Sequence, residues 1–207
     1  MLSNIEHNNV NNVYNNIAEH FNVTRVNKWP WITEFINNLK KNSLVVDLGC
    51  GNGRNMDYDN LNFIGVDNCS KFVDICKSKN YNVINSNIIS VNLESNIADG
   101  LICIAVFHHL STVEHRIDAL KEMRRLLKPG CKLLLSVWSI NQPYKTKRSF
   151  SCYGNNIVIW NSYNKKYERY YYIFKLDEIK NLFKSTGFTI LKHEYSCGNE
   201  IFTLLKI

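Results

Sequence analysis

The residues most able to do chemistry sit in one short stretch, Val45-Val-Asp-Leu-Gly-Cys-Gly-Asn-Gly53. An apolar run, Leu44 to Leu48, carries one acid, Asp47, and stops at three glycines, Gly49, Gly51 and Gly53. Glycine lets the backbone turn sharply and approach a ligand closely, so the stretch predicts a buried strand feeding a ligand-cradling loop. Asp67 ends a second apolar run, Phe63-Ile-Gly-Val-Asp. An acid about 20 residues past the first strand is where α/β nucleotide folds hold a ribose hydroxyl pair. Dinucleotide folds use G-x-G-x-x-G; here the spacing is G-x-G-x-G and Arg54 stands where the last glycine would fall. A second chemical feature is His108-His109, at the end of the run Asp99 to Phe107. Ligands of open parallel sheets bind beyond the carboxyl ends of strands, which is where this pair falls. Two adjacent histidines without partners do not make a metal site, and none is expected.

These residues need elements to hold them. Residues 1–12 read as a polar, poorly ordered leader. Val13, Ile17 and Phe21 recur at helical spacing, and Pro30 can begin a second helix through Trp31, Phe35, Ile36 and Leu39. Together they predict an N-terminal helical flap over residues 13–42. After the glycine loop a helix is weakly marked at Asn55 to Asn60, and Ser70 is expected to cap a helix running to Lys79. Val83-Ile84 is a short strand leading to Asn87. Asp99 to Phe107 is continuously apolar, as a central parallel strand should be. Glu114 to Leu127 is an amphipathic helix halted by Lys128-Pro129-Gly130, and Lys132 to Trp138 is the next strand. Asn141 to Lys166 reads as irregular and polar, with a short strand or insertion near Ile157 to Trp160; the span 141–170 is taken as a substrate-side insertion. A helix from Asp177 to Thr186, capped by Gly187, then precedes a closing antiparallel pair, Phe188 to Lys192 and Ile201 to Lys206. The order predicts a doubly wound α/β domain over 13–207, a mostly parallel sheet with an antiparallel terminal strand.

Composition narrows the setting. With 207 residues, 45% of them hydrophobic, the chain suits one domain rather than two. Its seven cysteines are odd in number and contain no C-x-x-C pair, so free thiols in a reducing compartment are expected. No segment has a signal peptide's order, and no apolar run nears the ~20 residues that span a bilayer; a cytosolic or nuclear protein without membrane contact is expected. The net charge of +7 favours an anionic partner such as nucleic acid. The cluster Lys121-Arg124-Arg125-Lys128 reads as a solvated helix face. Lys145-Lys147-Arg148 and Lys165-Lys166-Arg169, in tyrosine-rich segments, are candidates for RNA contact. The asparagine-rich tract Asn4 to Asn16 reads as composition bias.

Asp47, the glycine loop and Asp67 together resemble motif I and the ribose acid of class I S-adenosyl-L-methionine (SAM) methyltransferases. That resemblance implies a cofactor set of Asp47, Gly49, Cys50, Gly51, Asn52, Gly53, Asp67, Asn68, Asn87, Ile88 and Ala105. The acid that accepts from the adenine amino group is replaced by Asn87, whose amide oxygen still accepts. A longer set of motifs is in register: Tyr14-x-x-Ile-Ala-x-His-Phe, Thr24-Arg25, Trp29-Pro30, Ile104-Ala-Val-Phe-His-His-Leu, Arg125-Leu-Leu-Lys-Pro-Gly, Val137-Trp138, Arg169-Tyr-Tyr and Gly198-Asn199. These resemble the eukaryotic tRNA wobble-uridine carboxymethyl methyltransferases, including the methyltransferase domain fused to an AlkB homologue in animals. Departures are Asn87, Val26 for an aromatic, Cys131 for a glycine and Glu200 for an aromatic.

The resemblance implies methyl transfer from SAM to the carboxylate of 5-carboxymethyluridine in the tRNA anticodon loop. It assigns Arg25 and Arg169 to gripping that carboxylate, with His109 and Asn199 as further polar contacts. Tyr14, His20, Trp29, His108, Trp138 and Tyr170 become substrate-pocket residues. It also implies a heterodimer with a small zinc-containing activator subunit. Two rivals keep the SAM residues: a small-molecule methyltransferase of the same fold, and a non-catalytic SAM-binding scaffold.

Overall fold

A computed structural model describes residues 2–143 and 150–207. Nine strands are present among them: β1 (Leu44–Leu48), β2 (Asn62–Asp67), β3 (Val83–Asn85), β4 (Ala98–Ile104), β5 (Leu127–Trp138), β6 (Gly154–Ser162), β7 (Lys165–Ile173), β8 (Phe188–Ser196) and β9 (Asn199–Lys206). Seven form one sheet in the order β3-β2-β1-β4-β5-β9-β8. The first five run parallel, and β9 is antiparallel to both β5 and β8. This is the class I SAM-methyltransferase fold.

The central strands are apolar throughout because both sheet faces are covered. Side-chain alternation sends Val46, Leu48, Leu101, Cys103, Leu133 and Leu135 to one face. There they meet Leu120 and Met123 of α5 (Val113–Leu126) and Ile179 and Phe183 of α6 (Leu176–Ser185). Val45, Ile102, Ile104 and Leu134 point the other way, onto Ile32, Phe35 and Ile36 of α3 (Pro30–Asn37). Asp47, two residues after Val45, shares that second orientation.

Several expectations are corrected. The polar leader of residues 1–12 is helical from Asn4: α1 (Asn4–Glu6) passes through a π turn, His7–Asn11, into α2 (Asn12–Thr24). Ser3 and Glu6 form a capping box, and Glu6 is buried because both its oxygens are occupied. They accept from Ser3 N–H, Ser111 N–H at 2.7 Å, the Ser111 hydroxyl and His115 Nδ1 at 2.7 Å. Pairing across the fold, invisible to local composition, orders this segment.

Residues 55–60 contain no helix. The helix α4 (Ser70–Ser78) is preceded by Cys69 without a side-chain cap; the Ser70 hydroxyl instead donates to Asn15 Oδ1. The strand after Asp99 stops at Ile104, where Ala105 takes φ 58°, and His108-His109 lie in a 3-10 turn. Lys128-Pro129-Gly130 belongs to β5 rather than ending a helix: α5 stops at Leu126, and β5 runs on from Leu127. The second half of the supposedly irregular 141–166 segment belongs to the β6–β7 hairpin, paired from Gly154↔Ile173 to Ser162↔Lys165. The basic residues Lys145, Lys147 and Arg148 lie outside the described residues.

Candidate active site

Beyond the carboxyl ends of β1, β2 and β4 lies a cavity of about 370 Å³, within the range of small-molecule sites. The glycine loop forms its floor. Gly49 sits at φ +77°, and a Cβ there would lie 2.3 Å from Val106 Cγ2, so no other residue fits this close approach. Gly49 and Cys50 N–H both donate to Val66 O, tying the loop to β2. Gly51 N–H donates to Asp67 Oδ2 at 2.8 Å and Cys69 N–H to Oδ1 at 2.9 Å. Burial raises the Asp67 carboxyl to about 6, against the lowering effect of those N–H groups.

Asp47 lies beneath the loop, 1% exposed. Neither of its oxygens has a well-formed hydrogen bond, although Asn55 leans towards it. Burial, then the charge of Asp67, pushes its carboxyl to about 7, with Arg54 opposing. An orphaned buried carboxylate beside a ribose-type acid and a close-approach glycine fits a ligand carrying a ribose and a cation, which SAM does.

The opposite end is built from arginine and aromatic rings. Arg169 of β7 is 5% exposed, yet among the described residues it has no ion pair and its Nε has no hydrogen-bond partner. Its guanidinium lies 4.7 Å from the Trp160 ring and 5.2 Å from Tyr171. Arg25, just after α2, rests 4.8 Å over Trp160 and donates to Thr24 O. Burial and the Arg169 charge lower the Arg25 pKa. Two guanidiniums around one indole, repelling each other with no carboxylate, call for an anion. Trp138 and Tyr171 stack at 4.2 Å and 9° to wall this end.

His109 links the two ends. Its Nδ1 donates to Tyr170 O at 2.7 Å, so Nε2 is the acceptor, 3.0 Å from the Tyr14 hydroxyl. Tyr14 in turn accepts from Tyr171. Burial, aided by Arg169, drives the His109 pKa down to about 3, so the ring is neutral.

Residues 46–135 match the model of the methyltransferase domain family. The chain is 40% identical over 154 residues to mouse tRNA (carboxymethyluridine(34)-5-O)-methyltransferase ALKBH8, covering 74% of this chain and 23% of that protein. It spans about a quarter of the length of the animal relatives it matches. The Schizosaccharomyces pombe tRNA (carboxymethyluridine(34)-5-O)-methyltransferase is 34% identical over 213 residues, covering 92% of each chain. The chain belongs to the tRNA (carboxymethyluridine) methyltransferase family. Among solved structures, a SAM-dependent methyltransferase from Methanosarcina mazei has a TM-score of 0.71 at 18% identity, covering 87% of this chain and 99% of that one. A Haloferax volcanii methyltransferase, in complex with the Trm112 methyltransferase activator, has a TM-score of 0.70 at 12% identity, covering 95% and 96%.

For this family member, the structure brings most of the expected residues to the cavity. Gly49, Cys50, Gly51, Asn52, Asp67 and Asn68 line the loop side, with Asn87, Ile88 and Ala105 alongside. Tyr14, Arg25, Trp29, His109, Trp138 and Arg169 line the rest. Asn87 Oδ1 also closes its own turn by accepting from Ile89 N–H at 3.2 Å.

Six expected residues do not line the cavity, the first being Asp47, buried beneath the loop. Gly53 backs onto Tyr81 and Cys76. His20 accepts from Trp160 Nε1 on the outer side of that indole. His108 is wholly buried, its Nδ1 accepting from Trp138 N–H at 3.0 Å. Asn199, paired opposite Trp138, donates to Ser196 O and Cys197 O at the β8–β9 turn. Tyr170 points away and bonds Asn155, because alternation along β7 puts Arg169 and Tyr171 on the cavity side. Tyr171 and Arg54 were missed as lining residues. Reading 165–173 as a strand would have found the first.

Proposed function

We propose that this chain methylates the carboxylate of 5-carboxymethyluridine at the tRNA wobble position, producing the methyl ester. The observation that carries the reading is Arg169: a buried guanidinium without an acid, facing a cavity whose other end is shaped for SAM. A carboxylate is ionised at neutral pH, so no base is needed to make the nucleophile. Bound SAM supplies an electrophilic methyl group on a sulfonium. The chain's task is to hold one carboxylate oxygen in line with that methyl and to exclude water.

Arg169 grips the carboxylate through paired hydrogen bonds, leaving a lone pair on one oxygen free. Arg25 adds a second positive charge over the same indole. The Trp138–Tyr171 stack forms a rigid wall against which the uracil ring can lie. His109 serves as a spacer: its lone pair is committed to Tyr14, so it positions rather than abstracts. Asp67 holds the ribose hydroxyls and Asp47 faces the cationic methionine part of SAM.

The tRNA anticodon loop would meet the β6–β7 hairpin, which presents Lys165, Lys166 and the exposed ring of Tyr163. Such a substrate places the chain in the cytosol or nucleus. The likeness to a methyltransferase solved with its activator supports a heterodimer with an activator subunit, which the family resemblance makes small and zinc-containing. The edge strand β3, which leads directly to Asn87, is the sheet edge beside the cofactor site and the proposed place of docking.

The test is tritium transfer from labelled SAM to bulk tRNA lacking the wobble ester, with and without a co-expressed activator, followed by nucleoside analysis. Label in an alkali-labile wobble-uridine ester is expected. Binding of SAM with the activator present, but no label in any tRNA, would sink the proposal and turn attention to small carboxylates.

A further inference from the structure

The proposed reaction brings two carboxylates into one cavity, the substrate's and the α-carboxylate of SAM's methionine part, and the cavity holds three arginines. Their surroundings divide the labour. Arg169 and Arg25 share Trp160, and the Arg169 charge acts on Arg25. Arg25 is further tied to Thr24 O. Arg54 follows the glycine loop immediately, on a different ring, although it too feels the charge of Arg25. Its guanidinium lies over the Trp29 ring at 4.3 Å, and Trp29 is itself stacked on Trp31 at 5.4 Å and 17°. That gives a long side chain a stiff platform at the cavity wall. Among the described residues the Arg54 guanidinium has no hydrogen bond and no ion pair. Asp47 is the acid whose charge it feels, and Asp47 also lacks a bonded partner.

An α-amino acid end group carries an ammonium and a carboxylate on one carbon. Arg54 offers a positive charge at the cavity wall, and Asp47, buried beneath the loop, a negative one behind it, with no hydrogen bond or ion pair joining the two. We infer that Arg54, held on Trp29, binds the methionine carboxylate of SAM, leaving Arg169 free for the carboxylate that is methylated. The inference rests on the SAM reading of the cavity.

The test compares equilibrium binding of SAM and of decarboxylated SAM, which keeps the ammonium and sulfonium and lacks only the carboxylate, to the full chain and to Arg54→Gln, Arg54→Lys and Arg169→Gln variants. A lost charge-assisted hydrogen bond predicts SAM binding weaker by roughly 10- to 100-fold in Arg54→Gln. Decarboxylated SAM should bind that variant within about twofold of the unaltered chain, which also shows that the pocket is intact. Arg54→Lys should fall between, and Arg169→Gln should change neither ligand. Equal weakening of both ligands by Arg54→Gln would make the residue a support of the loop and overturn the assignment, as would no change in either. A selective loss of SAM in Arg169→Gln would move the carboxylate site there. Failure of the unaltered chain to bind SAM at all would remove the cofactor reading and this assignment with it.

Discussion

The two ends of the cavity are built in opposite ways. The loop end draws Asp47, the glycines and Asp67 from a single β-loop-β stretch, and backbone N–H groups do most of the holding. The other end assembles Tyr14, Arg25, His109, Trp138, Trp160, Arg169 and Tyr171 from five separate parts of the chain. Charge differs as well: the buried carboxylates Asp47 and Asp67 belong to the loop end, and the acid-free pair Arg25 and Arg169 to the other. A cofactor common to many enzymes can be held by a local motif. A particular substrate needs a surface that only the folded chain creates.

Breaking the arginine end should have the largest effect. Arg169→Ala is expected to lower kcat/KM for methyl transfer to tRNA by roughly a hundredfold or more, because a bidentate grip on the nucleophile is lost. SAM affinity, measured by equilibrium binding, should stay within about twofold. Loss of SAM binding in this variant would erase the division between the two ends.

The acidic end should respond to pH. The carboxyls of Asp47 and Asp67 are raised to about 7 and about 6. The folded chain therefore keeps protons that the unfolded chain has lost, so this contribution to stability is fully present below the unfolded values and is lost as pH rises towards 7. A cationic ligand favours the ionised forms. SAM affinity should thus rise by roughly tenfold from about pH 5.5 to about pH 7.5, with proton release on binding measurable by calorimetry in buffers of different ionisation heat. A flat profile would show that neither acid faces the cation.

A smaller effect is expected at the helix that closes over both ends. Glu6→Gln leaves Ser111 N–H and His115 with a weaker acceptor and should cost about 1–3 kcal/mol of stability, read from urea unfolding. Burial raises the Glu6 carboxyl, but His115 and the Ser111 and Ser3 N–H groups more than offset this and hold it below its ordinary value. Its contribution is therefore present above the unfolded pKa and fades as pH falls through the folded one. An unchanged midpoint in Glu6→Gln would show that the Glu6 contacts to Ser111 and His115 do not hold this helix in place.

The mildest change, Tyr14→Phe, removes a neutral hydrogen bond to His109 Nε2 and a longer one from Tyr171. It should lower kcat by about three- to tenfold with little change in SAM binding, in line with roughly 1 kcal/mol per bond. A collapse of SAM binding instead would place His109 on the cofactor side.

The parallel strands and the cofactor loop were legible because their signals are local. A both-sides-buried strand is apolar throughout, and glycines at G-x-G spacing declare a close approach. His109 was reached from its place beyond the end of a central strand, whereas the substrate role of Arg169 came through resemblance to relatives. The leader and the hairpin were misread because both are polar in composition: Glu6 is ordered by partners more than 100 residues away, and β6–β7 stands apart from the main sheet as a two-stranded pair.

The sequence by itself determined the strands of the main sheet, the glycine loop and the two acids, since each follows from residues within a few positions of one another. The tertiary structure alone decided that Arg169 has no acid partner, that His109 is neutral with its lone pair engaged, and that Tyr171 rather than Tyr170 faces the cavity. Those properties depend on burial, on neighbours brought in from distant segments and on which face of a strand is covered, and none of these is set before the chain packs.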